Sequence, residues 1–393
     1  MRVGVPTEIK QDEYRVGLTP AGTRELTARG HEVVVERGAG EGSAILDVEY
    51  ERQGARLVDN ASEVFGEAEM IVKVKEPQPG EVALLRPDQV LFTYLHLAPE
   101  PDLTRGLLSS GAIGIAYETV TDAAGRLPLL APMSEVAGKL AAQAGAFMLE
   151  RPLGGRGILL GGVPGVAAGT VLVIGGGVVG QNAANTAVGL GADVIVFDRS
   201  LARLRELDSI FGGRVSTVYA STLEIEERLP TADLVIGAVL TKGAKAPHVV
   251  RREQLGMMKK RAVLVDVSID QGGSFETSRP TTHSDPTYEV DGILHYCVAN
   301  MPGAVPVTST RALTNATMPY ILKIADRGPL EAIAADPGIA AGVNVVGGHL
   351  TEQAVAKDQD AEWTPLGEAL EALGPWPPQN QLVTQKGNRN GDV

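Results

Sequence analysis

Val171-Leu172-Val173-Ile174-Gly175-Gly176-Gly177-Val178-Val179-Gly180 joins an apolar, β-rich run to a glycine turn that opens a helix. Gly175, Gly177 and Gly180 satisfy G-x-G-x-x-G, a weak signal alone and a strong one between a strand and a helix. A second apolar run, 193–197, ends at Asp198, about 20 residues past the first glycine, where dinucleotide-binding βαβ units carry an acid. Each position has a physical task. Gly175 allows a tight turn, Gly177 lets the backbone approach a pyrophosphate, and Gly180 lets helix and strand pack closely. Val178 and Val179 lie at the helix start, whose N–H groups face the anion. Asp198 is placed to accept hydrogen bonds from a ribose diol, and its charge repels a 2′-phosphate. That favours NAD over NADP, although the adjoining Arg199 leaves NADP open. The plainer alternative is a glycine-rich turn beside a solvent-facing acid.

Outward from this motif, the chain reads as two α/β halves. Before it, strands are expected at 2–5, 32–36, 55–58, 70–75, 90–97 and 112–120. Helices are expected between them, at 20 to about 30, 47–53, 61–68, 79–86 and 102–109. Such alternation predicts βαβ units and a parallel sheet covered on both faces. A long helix follows, with Ser134 as its N-cap, running to Met148. After a glycine-rich crossing the alternation restarts, with strands at 170–174, 193–197, 214–219, 233–239 and 262–269. From about Ser309 the pattern is mainly helical through Ala325, with another helical stretch after 343–348. Residues from Gly374 onward are rich in Pro, Gln, Asn and Gly and read as a loose tail.

Composition narrows the function. The chain has 393 residues, 44% apolar, with a formal net charge of −13. That is ample for a core and lacks the basic excess of nucleic-acid binders. Glycine supplies 47 residues, above the usual ~7%, so many tight turns or close backbone approaches are expected. A single cysteine, Cys297, excludes an internal disulfide or a CxxC metal site and reads as an ordinary strand cysteine. Histidine spacing predicts no metal site. Residues 157–192 carry no charge, but glycines and Pro164 break them too often for a membrane span. Met1–Pro6 leads straight into charged sequence, so no export signal is expected, and the cytoplasm is the expected location.

In open α/β sheets, ligands sit beyond the carboxyl ends of the strands. Arg15 follows the first strand, Lys75 and His96 close later ones, and Asp270 follows the run 263–269. Two cations, an imidazole and a carboxylate suit a small anionic substrate bearing a group that gains and loses protons. Each has a plainer alternative. Lys73 and Lys75 alternate with apolar residues and could be a solvated strand face. The remaining histidines, His31, His248, His283, His295 and His349, read as satisfied surface or core residues. Asp266 could be a buried structural acid.

Several stretches together are distinctive: Gly4-Val5-Pro6-Thr7-Glu8-Ile9-Lys10, Val74-Lys75-Glu76-Pro77, Tyr94-Leu95-His96-Leu97-Ala98, Pro132-Met133-Ser134-Glu135-Val136-Ala137-Gly138, Asp266-Val267-Ser268-Ile269-Asp270-Gln271-Gly272-Gly273 and Val298-Ala299-Asn300-Met301-Pro302. With them the chain resembles the alanine dehydrogenase and pyridine-nucleotide transhydrogenase family over roughly residues 1–370. The resemblance implies NAD-dependent oxidative deamination of L-alanine to pyruvate and ammonium, and the reverse amination. It implies that Arg15 and Lys75 hold the substrate's carboxylate and keto oxygen, while His96 and Asp270 move protons. Besides the glycine motif and Asp198, the expected cofactor contacts are Ser134, Val239, Leu240, Val267, Asp270, Val298, Asn300 and Met301. The implied architecture is two doubly wound Rossmann-like domains. A discontinuous substrate domain, 1–128 with 306–372, surrounds an NAD domain at 129–305, and the assembly is a homohexamer. Two alternatives stay open: the NAD-binding subunit of a transhydrogenase, and a dehydrogenase of another amino acid.

Overall fold

Apolar runs of four or five residues bounded by glycine, proline or acid leave little room for long strands, and the observed ones are short. The computed structural model describes residues 1–239 and 246–373. Leu240 and the tail from Gly374, for which the sequence predicts a cofactor contact and a loose end, lie outside the described residues. The strands, in chain order, are β1 Arg2–Val5, β2 Glu32–Glu36, β3 Arg56–Val58, β4 Met70–Val72, β5 Val90–Thr93, β6 Ile113–Ala116, β7 Thr170–Ile174, β8 Asp193–Asp198, β9 Ser216–Tyr219, β10 Leu234–Gly237, β11 Val263–Asp266, β12 Thr287–Val290, β13 Ile293–Tyr296, β14 Val343–Val346 and β15 His349–Leu350. They form two α/β units, one of Met1–Leu130 with the chain from Pro306 onward, the other of Ala131–Val305.

The first unit holds a sheet of order β15-β14-β6-β5-β4-β1-β2-β3. β1 through β6 pair in parallel, and β14 and β15 add an antiparallel edge. β1 runs outward to β2 and β3, whereas β4, β5 and β6 lie on its other side. The strand order therefore reverses between β1 and β4, which makes a crevice at their carboxyl ends. Helix Ala61–Glu67 seals one face through Val64 and Phe65, which pack with Ile71, Leu91 and Val345. The late helix Pro306–Arg327 docks on the loop after β1, where the Thr310 hydroxyl accepts from the Val16 N–H at 3.2 Å.

The second unit holds a sheet of order β12-β13-β11-β10-β7-β8-β9, parallel except at β12. Its reversal lies between β7 and β10. Alternate residues of each strand point to opposite faces. Val171, Val173, Val194, Val196, Leu234, Ile236, Val263 and Val265 pack on one side with Leu140 and Ala183 of the helices Ala131–Met148 and Val178–Gly189. Leu172, Ile174, Phe197, Val235 and Leu264 pack on the other with Ile225, Leu255 and Phe275.

Four expectations need correction. The strands expected at 70–75, 90–97 and 112–120 stop at Val72, Thr93 and Ala116. Side-chain carboxylates cause two of these endings. Glu8 takes the Val74 N–H at 2.6 Å, and Glu118 takes those of Leu95 and His96 at 3.1 and 2.6 Å. Ser134 is not an N-cap, because the helix already begins at Ala131. Pro132 sits in its first turn, where a missing N–H costs nothing. Finally, 343–346 is a strand, and Lys73 is no solvated residue. Its ammonium is fully buried between Glu8 (3.1 Å) and Glu81 (2.7 Å).

Glycine lets the helices Ala131–Met148 and Val178–Gly189 approach closely. A Cβ on Gly138 would lie 2.2 Å from the Val179 carbonyl oxygen, inside any allowed contact, whereas one on the exposed Gly66 would meet nothing within 4 Å. Gly138→Ala is therefore expected to cost about 1–3 kcal/mol by forcing the two helices apart. Gly66→Ala should be neutral or stabilising by up to about 1 kcal/mol. Thermal unfolding of both variants checks the contrast, and a Gly138→Ala melt equal to the parent's would contradict this packing.

Candidate active site

The rim of the first sheet carries three of the expected residues on strand ends beside its reversal point: Arg15 after β1, Lys75 after β4 and His96 after β5. Arg15 is only 2% exposed. Its Nε and Nη2 donate to Glu13 at 2.7 and 2.5 Å, and Glu13 also accepts the Arg15 N–H. Burial opposes the charge, yet the Glu13 carboxylate outweighs it and holds the guanidinium above its ordinary pKa. The Nε–Nη2 edge thus belongs to Glu13, so a two-bond clamp on a ligand through that edge is ruled out.

Lys75 is buried, at 9% exposure, and its carbonyl accepts from the Thr93 hydroxyl at 2.9 Å. His96 is the accessible member, with 40% of its side chain exposed. Its backbone lies in the left-handed region at φ +48°, a conformation that costs a non-glycine residue about 1 kcal/mol or more. Glu118 holds it there through the two N–H bonds described above. The His96 ring lies 5.6 Å from that of Tyr94, whose hydroxyl donates to the Leu129 carbonyl and whose phenol is pushed up in pKa by burial, against the pull of Arg15.

One further residue binds this cluster together. Glu76 directs Oε1 to the Lys10 ammonium and Oε2 toward His96 Nδ1, 3.6 Å away. Although burial raises the cost of its charge, the His96 contact and the charges of Lys75 and Lys10 bring its pKa down to about 2. The carboxylate is therefore ionised across the neutral range. Glu76 stands in the quoted stretch Val74-Lys75-Glu76-Pro77, but nothing in its spacing marks it as a histidine partner. Glu13 and Glu118 had no sequence signal at all.

In the second unit, the expected cofactor residues follow the carboxyl ends of neighbouring parallel strands, apart from Ser134, which lies in the helix Ala131–Met148, and Leu240, which lies outside the described residues. Gly175 follows β7 at φ +107°, and a Cβ there would strike the Ala238 carbonyl at 2.4 Å. A Cβ on Gly180 would sit 1.8 Å from the Gly175 carbonyl, while the same position on Gly177 meets nothing within 4 Å. Gly177 starts the helix Val178–Gly189, with no side chain capping it. Those three environments match the tasks that a pyrophosphate cradle sets. Asp198 ends β8 and accepts from the N–H groups of Gly176 (2.8 Å) and Ser200 (2.7 Å). Arg203 ties down the turn by donating to the Gly176 carbonyl at 2.6 Å. Ser134 lies one helical turn before Gly138, on the face that meets Val179.

Val239 follows β10 and its carbonyl accepts from the Ser268 hydroxyl at 2.7 Å. Val267 and Asp270 follow β11, with Asp270 exposed in the short turn Ile269–Gln271. Asp266, fully buried, organises this loop. It accepts from the N–H groups of Ser268, Ser274 and Phe275 and from the hydroxyls of Ser274 and Ser278. The structural reading of that acid holds. Beyond β13, Val298 and Met301 are buried, and Asn300 takes a left-handed φ of +58°. Asp270 belongs to this unit, whereas Arg15, Lys75 and His96 belong to the other. Among the described residues, no group of three or more His, Cys, Asp or Glu is arranged to hold a metal ion, and no helix is long and apolar enough to cross a membrane.

Comparison with known proteins completes the picture. Residues 4–137 match the model for the alanine dehydrogenase/PNT N-terminal domain, and residues 141–353 that for the C-terminal domain. A curated alanine dehydrogenase of Mycolicibacterium smegmatis is 57% identical over 370 residues, 94% of this chain and 100% of the relative. Among solved structures, an L-alanine dehydrogenase is similar with a TM-score of 0.89 and 50% identity, covering 92% of this chain and 99% of that one. A transhydrogenase from Sinorhizobium meliloti is similar at 0.77 and 25% identity, covering 90% and 100%. With both family models matched across most of its length and a curated relative 57% identical over 94% of it, the chain belongs to the alanine dehydrogenase/PNT family.

Proposed function

We propose that this chain catalyses the NAD-dependent oxidative deamination of L-alanine to pyruvate and ammonium, and the reverse amination. The observation that carries this reading is the strand-end set Arg15, Lys75 and His96 on the first sheet, in a member of this family. Hydride exchange between two nucleotides needs no such set, so the transhydrogenase alternative leaves these residues without work. The chain from Met1 with that from Pro306 then acts as the substrate domain, and Ala131–Val305 as the nucleotide domain. The glycine turn, the uncapped helix start and Asp198 hold the dinucleotide, supported by Ser134, Val239, Val267, Val298, Asn300 and Met301. When bound, NAD supplies the nicotinamide that accepts hydride from the substrate Cα.

The chain's own residues do the rest. Alanine arrives as a zwitterion, and its ammonium must lose a proton before hydride can leave. An imidazole, with an ordinary pKa of ~6.5, takes and returns protons near neutrality, and His96 is the exposed one on this rim. Arg15 holds the substrate carboxylate, and Lys75 fixes the oxygen that becomes the keto group. Asp270 positions or deprotonates the water that adds to the iminium, and His96 protonates the departing amine. Family membership also supports a cytoplasmic homohexamer, and a sedimentation mass other than that of six chains would contradict it.

Two tests separate the roles. His96→Ala should lower turnover by roughly 100-fold or more while NADH binding stays near the parent's, and Asp270→Asn should lower turnover by a similar factor. Unchanged kinetics in either variant would remove that residue from the mechanism. Asp198→Ala should erode the preference for NAD over NADP by roughly tenfold in kcat/KM. A parent enzyme that already prefers NADP would overturn this reading of the acid. Both series start from a steady-state survey of small amino acids, where a better substrate than alanine would reassign the specificity.

A further inference from the structure

His96 has two ring nitrogens, and only one can face a substrate as a proton acceptor while the other points into the protein. Nδ1 faces inward, 3.6 Å from Glu76 Oε2. That oxygen is buried and has no hydrogen-bond partner within normal distance among the described residues. A buried carboxylate oxygen aimed at an imidazole nitrogen just outside bonding distance is poised to accept an N–H from it. Lys10 engages the other oxygen and so fixes the carboxylate's orientation.

We infer that Glu76 is a positioning residue: it accepts from His96 Nδ1–H, sets the ring's tautomer, and leaves Nε2 as the nitrogen that exchanges protons with substrate. This rests on the reading of His96 given above. The arrangement follows the logic of a buried acid that orients a histidine without itself becoming protonated. The groups facing the ring are Glu76, the Tyr94 ring and Glu118, which holds the His96 backbone. The charges of Lys75 and Lys10 both act on Glu76. A carboxylate charge beside an imidazole favours the imidazolium. Glu76 and Lys10 therefore push the pH dependence of turnover in opposite directions.

The test compares pH profiles of alanine deamination for the parent, Glu76→Gln, Glu76→Asp, Lys10→Met and His96→Ala. In Glu76→Gln, kcat should fall roughly 10- to 100-fold with little change in KM for alanine. The acidic limb of kcat/KM should move to lower pH. Lys10→Met should move that limb to higher pH, and Glu76→Asp should restore part of the turnover and the parent's limb. Nitrogen-15 NMR of the His96 ring should report an Nδ1-protonated tautomer that Glu76→Gln loses. A merely structural role would lower stability without opposite movements of the limb. If His96→Ala is inactive while Glu76→Gln keeps the parent's profile and turnover, the inference about Glu76 fails alone. If His96→Ala stays active, the reading of His96 fails first. Should Glu76→Gln not fold, Lys10→Met decides the matter, and an unmoved limb there overturns the proposal.

Discussion

A strand that stops at the rim of a parallel sheet exposes backbone N–H groups which its neighbours no longer accept, and each must find a partner or lie in water. In this chain carboxylates take that part in both units. Glu8 receives Val74, Glu118 receives Leu95 and His96, Asp198 receives Gly176 and Ser200, and Asp266 receives Ser268, Ser274 and Phe275. The loops that leave the strands are therefore shaped by anions rather than by turn propensity. Every expected chemical residue of the first unit after β4, and Asp270 in the second, rides on such a loop.

This choice has an energetic logic. A buried carboxylate is expensive unless its oxygens are filled. Asp266 meets that condition with three N–H groups and two hydroxyls, so removing it would strand several donors at about 1–3 kcal/mol each. Glu8 shows the cost more openly. Burial pushes its pKa up, while Lys73 and the Val74 N–H pull it back. The Lys73 ammonium in turn stays above its ordinary value because Glu8 and Glu81 outweigh burial. The triad carries no solvent-facing group and makes sense as scaffolding for the turn into Lys75. A lysine that looked equivalent to Lys75 by alternation is thus its support.

What the sequence made legible was local. The glycine turn could be read because a tight φ, an open backbone and a close helix contact each depend on residues within a few positions of one another. The strand–helix alternation was legible for the same reason. The strand endings were not, because Glu8 and Val74, or Glu118 and His96, meet only after the sheet has formed. β14 was missed because a short Val-Asn-Val-Val run beside two glycines resembles a connector, and its strand character comes from β6. The start of the helix at Ala131 was legible after all, since Pro132 marks a first turn more firmly than Ser134 marks a cap. Glu76 was in view but silent: spacing along a chain cannot say which nitrogen of a histidine a neighbour's carboxylate will meet.

The two rims differ in a way that follows from what each is proposed to hold. A dinucleotide is long and its pyrophosphate is served by backbone, so the second unit supplies an open glycine position, a bare helix start and one acid. Alanine is small and zwitterionic, and a rim of uncompensated cations would attract its carboxylate while repelling its ammonium. The first unit avoids this by matching cations with carboxylates, Arg15 with Glu13, Lys73 with Glu8 and Glu81, Lys10 with Glu76. The field on the substrate then depends on which edge of each pair faces it, and those edges are fixed by buried bonds before any ligand arrives. Preorganisation of that kind needs no rearrangement when charge moves from ammonium to imidazole in the proposed reaction. That is a physical reason for so many acids to hold so few proposed catalytic groups.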